Sequence, residues 1–329
     1  MRISFIIPVR NRIALTVNIL RQLRDRIRRI SSEDTIDIIV VDDGSNDGTS
    51  EEIEVEFPEV FLLKGDGSLW WTGAIVWGMR YALEQLECDR IVWLNDDMDI
   101  AEDSIARLLE IARNPKYEES MVGGIILDKT YPQWIVYSGL KKGCSINRLS
   151  DFSSCGEIEV EFLCGNMVII PRGIIEKIGF PDAKRLPQHG ADFEYTWRAR
   201  QRGFRAVVSS KLRACVDFQV SDFIRYMPYW MQWYFQKDFG KKLKVLAGLT
   251  SLHSNQNIWV FVNLHHKNRN QESTPFWKYV FCYLNKASLL LMTDFLPAPY
   301  LEGRVRNYLT SKNLPEEFTD RIWQLKKDL

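Results

Sequence analysis

The chain has no charge excess, no long apolar run and no paired cysteine motif, and each absence excludes a class of protein. Its 43 Lys and Arg balance 43 Asp and Glu, whereas a dedicated nucleic-acid binder normally shows a basic excess. No nucleic-acid partner is expected. The longest stretch without a formal charge, residues 245–266, carries Ser254-Asn255-Gln256-Asn257 at its centre. A bilayer span needs about 20 predominantly apolar residues, so this segment is not one. Cys88, Cys144, Cys155, Cys164, Cys215 and Cys282 show neither Cys-x-x-Cys nor zinc-like spacing. They read as reduced, mostly buried thiols of a cytosolic protein. The opening apolar stretch, residues 3–7, is short and stops at Pro8, so no secretory leader is expected there. No internal repeat, Gly-x-Gly-x-x-Gly fingerprint or Walker phosphate loop occurs.

What is present is a regular alternation. Strand-like runs at 2–9, 38–42, 60–64, 90–94 and 121–127 are separated by helical patterns at 13–30, after Asn46-Asp47-Gly48-Thr49, at 72–86 and at 101–113. Strands alternating with helices of this length predict βαβ units and a mostly parallel sheet flanked by helices. Residues 131–170 read as short strands and turns, 192–202 as a helix and 204–209 as a strand. Beyond residue 221 the composition turns aromatic and helix-like, which puts a boundary near 216–222.

Two of the apolar runs end in acid. Ile38 to Val41 leads into Asp42-Asp43-Gly44-Ser45, and Ile91 to Leu94 leads into Asn95-Asp96-Asp97. In open α/β sheets this carboxyl edge is where ligands bind. Gathered carboxylates repel one another unless a cation or hydrogen-bond donors sit among them. A divalent metal carrying a diphosphate answers that need, since Mg2+ and Mn2+ take oxygen ligands and often only one or two protein carboxylates. The competing role for Asp97 and Asp99 is to cap the following helix. Asp42 and Asp43, acceptors only when ionised, suit a nucleobase imide or ribose hydroxyls, or a capping turn ahead of Asp47.

Asp192 and Glu194 open a helix, where the dipole favours a carboxylate. Two residues apart, they cannot share a face, so only one reaches a substrate, as general base. Trp70 and Trp71, between Gly67 and Gly73, suit either a donor pocket or ordinary packing. Gly73 lets backbone approach a ligand. His189 is a weaker acceptor-side candidate, and His265 and His266 weaker still.

Several segments together carry a resemblance. They are Ile6-Ile7-Pro8-Val9-Arg10-Asn11-Arg12, Val40 to Thr49, Gly65 to Ala74, Trp93 to Asp97, Cys164-Gly165-Asn166-Met167 and Asp192 to Phe204, in that order. The chain resembles the family 2 inverting glycosyltransferases of the GT-A type. The resemblance implies a GT-A-like α/β catalytic domain over 1–217, with nucleotide-sugar binding in 1–127 and the acceptor and catalytic half in 128–217. A mainly helical region would follow over 218–329. It implies that Pro8, Arg10 and Asp43 flank the nucleoside, with Asn11, Asp42, Trp71, Gly73 and Asn166 in the same substrate-binding set. Asp96 would lie near the ribose and donor sugar, Asp97 would bind Mg2+ or Mn2+, and Asp192 would be the catalytic base.

Three departures stand out. Asn95 replaces the first acid of an Asp-x-Asp triad, and Ala191 replaces the acid that commonly precedes the base. No histidine follows the strand at 206–209; Cys215-Val216-Asp217 stands in that region, so either Asp217 substitutes as metal ligand or the third ligand is missing.

The expected function is metal-dependent transfer of a hexose-type sugar from a dTDP- or UDP-linked donor, rhamnose among the candidates. The expected acceptor is a saccharide or lipid-linked saccharide in surface-polysaccharide synthesis, with inversion at the anomeric carbon. The alternatives are a catalytically silent nucleotide-sugar-binding or scaffold subunit and a sugar-phosphate nucleotidyltransferase. The latter would want a Gly-rich phosphate loop, and Arg10-Asn11-Arg12 has no glycine. Aromatics at 223–235, the lysines that follow and the segment 276–296 suit a lipid interface, or equally helix packing and a second subunit. The expected location is cytoplasmic, peripheral at the inner membrane face.

Overall fold

The apolar runs that end in acid become the centre of one sheet. The computed structural model describes residues 1–152, 155–270 and 275–328, the side chains of 265–270 and 328 excepted. The chain divides into two compact units, one of residues 1–187 and 191–217, the other of 188–190 and 218–329.

The first unit begins β1 (Arg2–Val9), α1 (Ile13–Arg28), β2 (Thr35–Asp42), α2 (Thr49–Glu56), β3 (Phe61–Lys64), α3 (Trp70–Glu84) and β4 (Arg90–Leu94). It continues with β5 (Asp99–Ile100), α4 (Ser104–Arg113), β6 (Ser120–Asp128), β7 (Ile135–Tyr137), β8 (Gly139–Lys141) and β9 (Cys144–Ser145). It ends with β10 (Glu157–Glu159), β11 (Phe162–Leu163), β12 (Met167–Pro171), α5 (Arg172–Ile178), α6 (Ala191–Gln201) and β13 (Arg205–Val216).

The main sheet runs β10-β13-β6-β12-β4-β1-β2-β3, with β5 paired to β13 and β7 to β6. Pairs β4–β1, β1–β2, β2–β3 and β6–β13 are parallel, while β12 lies antiparallel between β4 and β6. Strands β8, β9 and β11 form a separate small sheet. Side chains alternate across the main sheet, as a period of two requires. Ile3, Phe5, Ile7 and Val9 enter one core with Leu20 of α1 and Leu108 of α4. Ile6, Ile39 and Val41 enter the other with Ile75 of α3 and Tyr195 of α6. Helices on both faces are what the apolar, non-alternating runs of β1, β2 and β4 demand.

Two elements differ from the sequence expectation. Strand β13 runs to Val216 instead of stopping at Ser209. It advances from 208 to 213 while β6 advances from 123 to 125, so a bulge absorbs the polar Ser209-Ser210-Lys211 and pairing resumes beyond it. The helix expected from 101 starts at Ser104. Asp99 does not cap it: its side chain accepts from Asn18 (2.9 Å) and Gln22 (2.8 Å) and pairs with Lys129.

The second unit is helical: α7 (Val220–Tyr226), α8 (Tyr229–Phe235), α9 (Phe239–Gly248), α10 (Ile258–Asn270), α11 (Phe276–Thr293), α12 (Ala298–Ser311) and α13 (Glu316–Asp328). Trp233, Leu249, Ile258 and Leu290 form one of its cores. None of the described helices is long and apolar enough to cross a membrane.

Candidate active site

The carboxyl ends of β1, β2 and β4 deliver Pro8 to Arg12, Asp42 to Ser45 and Asn95 to Asp97 to one edge of the sheet. Pro8 is tolerated in a central strand because β1 pairs β4 only as far as Ile6↔Trp93.

Asp43 is almost fully buried, and its carboxylate accepts backbone N–H groups from Gly67 (3.0 Å), Leu69 (3.0 Å) and Trp70 (2.8 Å). It thereby fastens the loop between β3 and α3, where Trp70 holds a left-handed φ of 59°. Arg10 braces the same loop by donating to the Gly67 carbonyl (2.8 Å), with Asp43 3.7 Å away. The two loops approach so closely that a Cβ on Gly44 would lie 2.8 Å from the Gly67 nitrogen. Gly44 also has φ +70°, so only glycine fits.

Asp42 turns inward. It accepts from the Ser45 N–H (2.9 Å) and the Ser50 hydroxyl, tying the turn to α2. Asn11 is latched to the same turn: its N–H donates to Ser45 Oγ (2.7 Å) and its Oδ1 accepts from Asn46 N–H (2.8 Å). These two residues hold the turn at that edge. The space beside Gly73 is taken by Leu69, 3.3 Å from where a Cβ would stand.

Asp96 and Asp97 share one cation. Arg12 Nη1 donates to Asp96 Oδ1 (2.8 Å) and Asp97 Oδ2 (3.1 Å), and the Thr16 hydroxyl donates to Asp96 (3.3 Å). Burial pushes the Asp96 carboxyl up to about 6, against the pull of Arg12. Arg12 is held firmly charged, its partial burial outweighed by the two carboxylates. Asp97 is the outer member, one-third exposed, and its Oδ1 has no partner among the described residues. One hard oxygen donor at the sheet edge fits a divalent cation whose remaining ligands come from a diphosphate and water. No group of three or more acidic, histidine or cysteine side chains among the described residues gathers into a metal cluster. Asp217 is exposed just past β13.

Asp192 stands in the first turn of α6. Its Oδ2 accepts the Gly165 N–H (2.9 Å) and its Oδ1 the Phe193 N–H (2.9 Å). Burial pushes its carboxyl above the usual range, and those N–H groups oppose the shift. Gly165 lets three groups meet: a Cβ there would stand 2.8 Å from the Trp71 ring and 3.1 Å from Asp192 Cβ. Trp71 in turn donates from Nε1 to Asn95 Oδ1 (3.1 Å) and meets Trp93 edge-on. Asn166 joins the same strand ends through its carbonyl, which accepts the Asn95 N–H (3.0 Å). Glu194 points the other way, buried against Arg198 (3.1 Å). Of the two acids, Asp192 is the one beside Trp71.

His189 belongs to the second unit, where its Nε2 lies 3.3 Å from the His253 carbonyl oxygen. The His265 and His266 side chains lie outside the described residues. Sequence reasoning gave no partner to Arg12 or Asn95 and passed over the Leu186–Pro187 carbonyls that receive the Thr72 hydroxyl (2.6 Å) and N–H (2.9 Å). Only for Arg12 was there a signal, a cation just past a strand end opposite an acidic turn.

Among solved structures the chain is similar to a mannosyltransferase, PcManGT from Pyrobaculum calidifontis in complex with GDP-Man and Mn2+. That likeness has 14% identity and a TM-score of 0.49, over 95% of this chain and 86% of that one. It is also similar to S. aureus TarS, at 12% identity and a TM-score of 0.49, over 82% of this chain and 44% of that one. No curated protein matches. A family model described as glycosyl transferase family 2 matches residues 4–179, more than half of the chain. The chain belongs to glycosyl transferase family 2.

Proposed function

We propose that this glycosyltransferase moves a hexose-type sugar, rhamnose among the candidates, from a dTDP- or UDP-linked donor to a saccharide or lipid-linked saccharide hydroxyl. We propose that the anomeric centre inverts, and that the work is done in the cytoplasm at an inner membrane face during surface-polysaccharide synthesis. The observation that carries the reading is the convergence of Asp192, Gly165 and Trp71 beside the acidic end of β4.

In this reading Asp43 and Arg10 shape the loop that receives the nucleoside, and Pro8 forms the floor beside them. Asp96, held by Arg12 and Thr16, faces the ribose and donor sugar. Asp97 and Asp217 would hold Mg2+ or Mn2+. Such a cation, when bound, neutralises charge developing on the diphosphate leaving group. Asp192 takes the proton of the acceptor hydroxyl as that oxygen bonds to the anomeric carbon. The bond from that carbon to the diphosphate breaks on the opposite face, and the nucleoside diphosphate leaves with the electron pair. The raised Asp192 carboxyl suits a base, because proton transfer is most effective when the pKa approaches the working pH.

The test is the anomeric configuration of the product, read by NMR from an α-linked donor. A β-linked product is expected. An α-linked product would remove Asp192 from the role of base and the inverting assignment with it.

A further inference from the structure

Helix α11 is apolar on the side that packs and on the side that does not. Cys282, Tyr283 and Leu290 face the core formed with Trp233, Leu249 and Ile258. On the other side Trp277, Val280, Phe281, Leu284, Leu291 and Met292 are exposed, Phe281 by 68%. Phe276 and Phe295 (87% exposed) extend the stripe at both ends. At ~1.5 Å per residue the stripe runs about 30 Å. Globular proteins seldom leave so continuous an apolar surface uncovered.

Charge decides what covers it. Helices α9 and α11 carry Lys241, Lys242, Lys244, Lys278 and Lys286 and no acid, within a chain of zero net charge. Lys242 is tied to Asp294, which brings α9 to the C-terminal end of α11. Lys286 lies over the Phe261 ring. Lys241 and Lys244 are exposed next to Phe239 (67% exposed) and Leu243. A second copy docking on this face would meet the same lysines, because a two-fold interface is self-complementary. An anionic surface meets the lysines with phosphates and the aromatic stripe with acyl chains.

We infer that α11, flanked by α9, is a lipid-docking face on which the chain lies in the headgroup region of an anionic bilayer. The inference deepens the lipid-linked-acceptor reading above and makes the partner of this surface the membrane itself.

The experiment is cosedimentation of the full chain with phosphatidylcholine vesicles, with and without phosphatidylglycerol. Binding is expected to strengthen with phosphatidylglycerol and weaken with salt. The triple variant Trp277→Ser, Phe281→Ser, Leu284→Ser should lower partitioning at least about tenfold, since each exposed side chain gives up its apolar burial. Lys241→Glu with Lys244→Glu should remove the preference for anionic lipid, each lysine accounting for about fivefold. Vesicle binding that the triple variant leaves unchanged would overturn the inference. So would a dimer that the triple variant dissociates while wild type ignores vesicles, because the face would then belong to a second copy. Nucleotide binding measured on the same samples without lipid separates the two readings: lost vesicle binding with intact nucleotide binding sinks only this one.

Discussion

Asp192→Asn is expected to lower kcat by about 10²–10⁴-fold, the range over which a positioned general base contributes, with donor affinity nearly unchanged. The amide keeps the shape of the side chain and its one oxygen can still accept the Gly165 N–H, with only the Phe193 N–H losing its acceptor, so α6 stays in place. Two further readouts separate a base from a residue that only holds the fold. Asp192 must be ionised to act, and burial pushes its carboxyl upward. Activity in wild type should therefore fall as pH drops through a value above the ordinary aspartate range, and the residual activity of Asp192→Asn should lack that limb. A raised folded-state pKa also means that the stability linked to the protonated form is present at low pH and lost as pH rises through that value. At neutral pH the neutral amide removes this cost, which offsets the acceptor lost to the Phe193 N–H, so the unfolding midpoint should change little. Activity within about tenfold of wild type would deny Asp192 the role, given the size of base contributions.

Asp43→Ala should be the most damaging change at the nucleotide side. Three backbone N–H groups of the Gly67–Trp70 segment lose their shared acceptor at a buried position. Hydrogen bonds to a charged group are each worth about 1.5–3 kcal/mol. Partial replacement by water brings the expected loss of stability to about 2–4 kcal/mol. The same loss falls on the competence of the loop, and apparent affinity drops with the competent fraction, so nucleotide binding should weaken by about 10–100-fold. Asp43→Asn keeps one acceptor oxygen and should fall between. Denaturant unfolding with an unchanged m-value, together with calorimetric nucleotide titration, checks both effects. Full nucleotide affinity in Asp43→Ala would show that the loop does not need its latch.

The difference between what the sequence disclosed and what it concealed follows from range. Strands β2 and β4 were legible because an apolar run ending in Asp or Asn is a local signal, and β1 because its apolar run stops at Pro8. The two-sided core followed from the lack of alternation in those runs. The direction of β12 was not legible: side-chain periodicity is the same for parallel and antiparallel strands, so Met167 to Pro171 could be recognised only as a strand. The bulge in β13 hid the second half of that strand behind Ser209-Ser210-Lys211. At the site, the acids were found and their partners were not. Arg12 lies 84 residues from Asp96, so its place just past a strand end marks it as a candidate cation without saying which acids it meets. Asp43 likewise reads as a free ligand-binding acid until the pairing of β2 with β3 brings the Gly67–Trp70 backbone onto its oxygens. Asp42 and Asn11, expected among the substrate-binding residues, are seen holding the turn on which the nucleoside side of the edge is built.

The most direct test of the account is calorimetric titration of UDP, dTDP and GDP into wild type and Asp97→Ala, each with and without Mn2+ or Mg2+. The account predicts metal-dependent binding of a pyrimidine nucleoside diphosphate to wild type and loss of that dependence in Asp97→Ala. Absence of nucleotide binding to wild type under every metal condition would contradict it and leave the carboxyl edge of β1, β2 and β4 without the donor assigned to it.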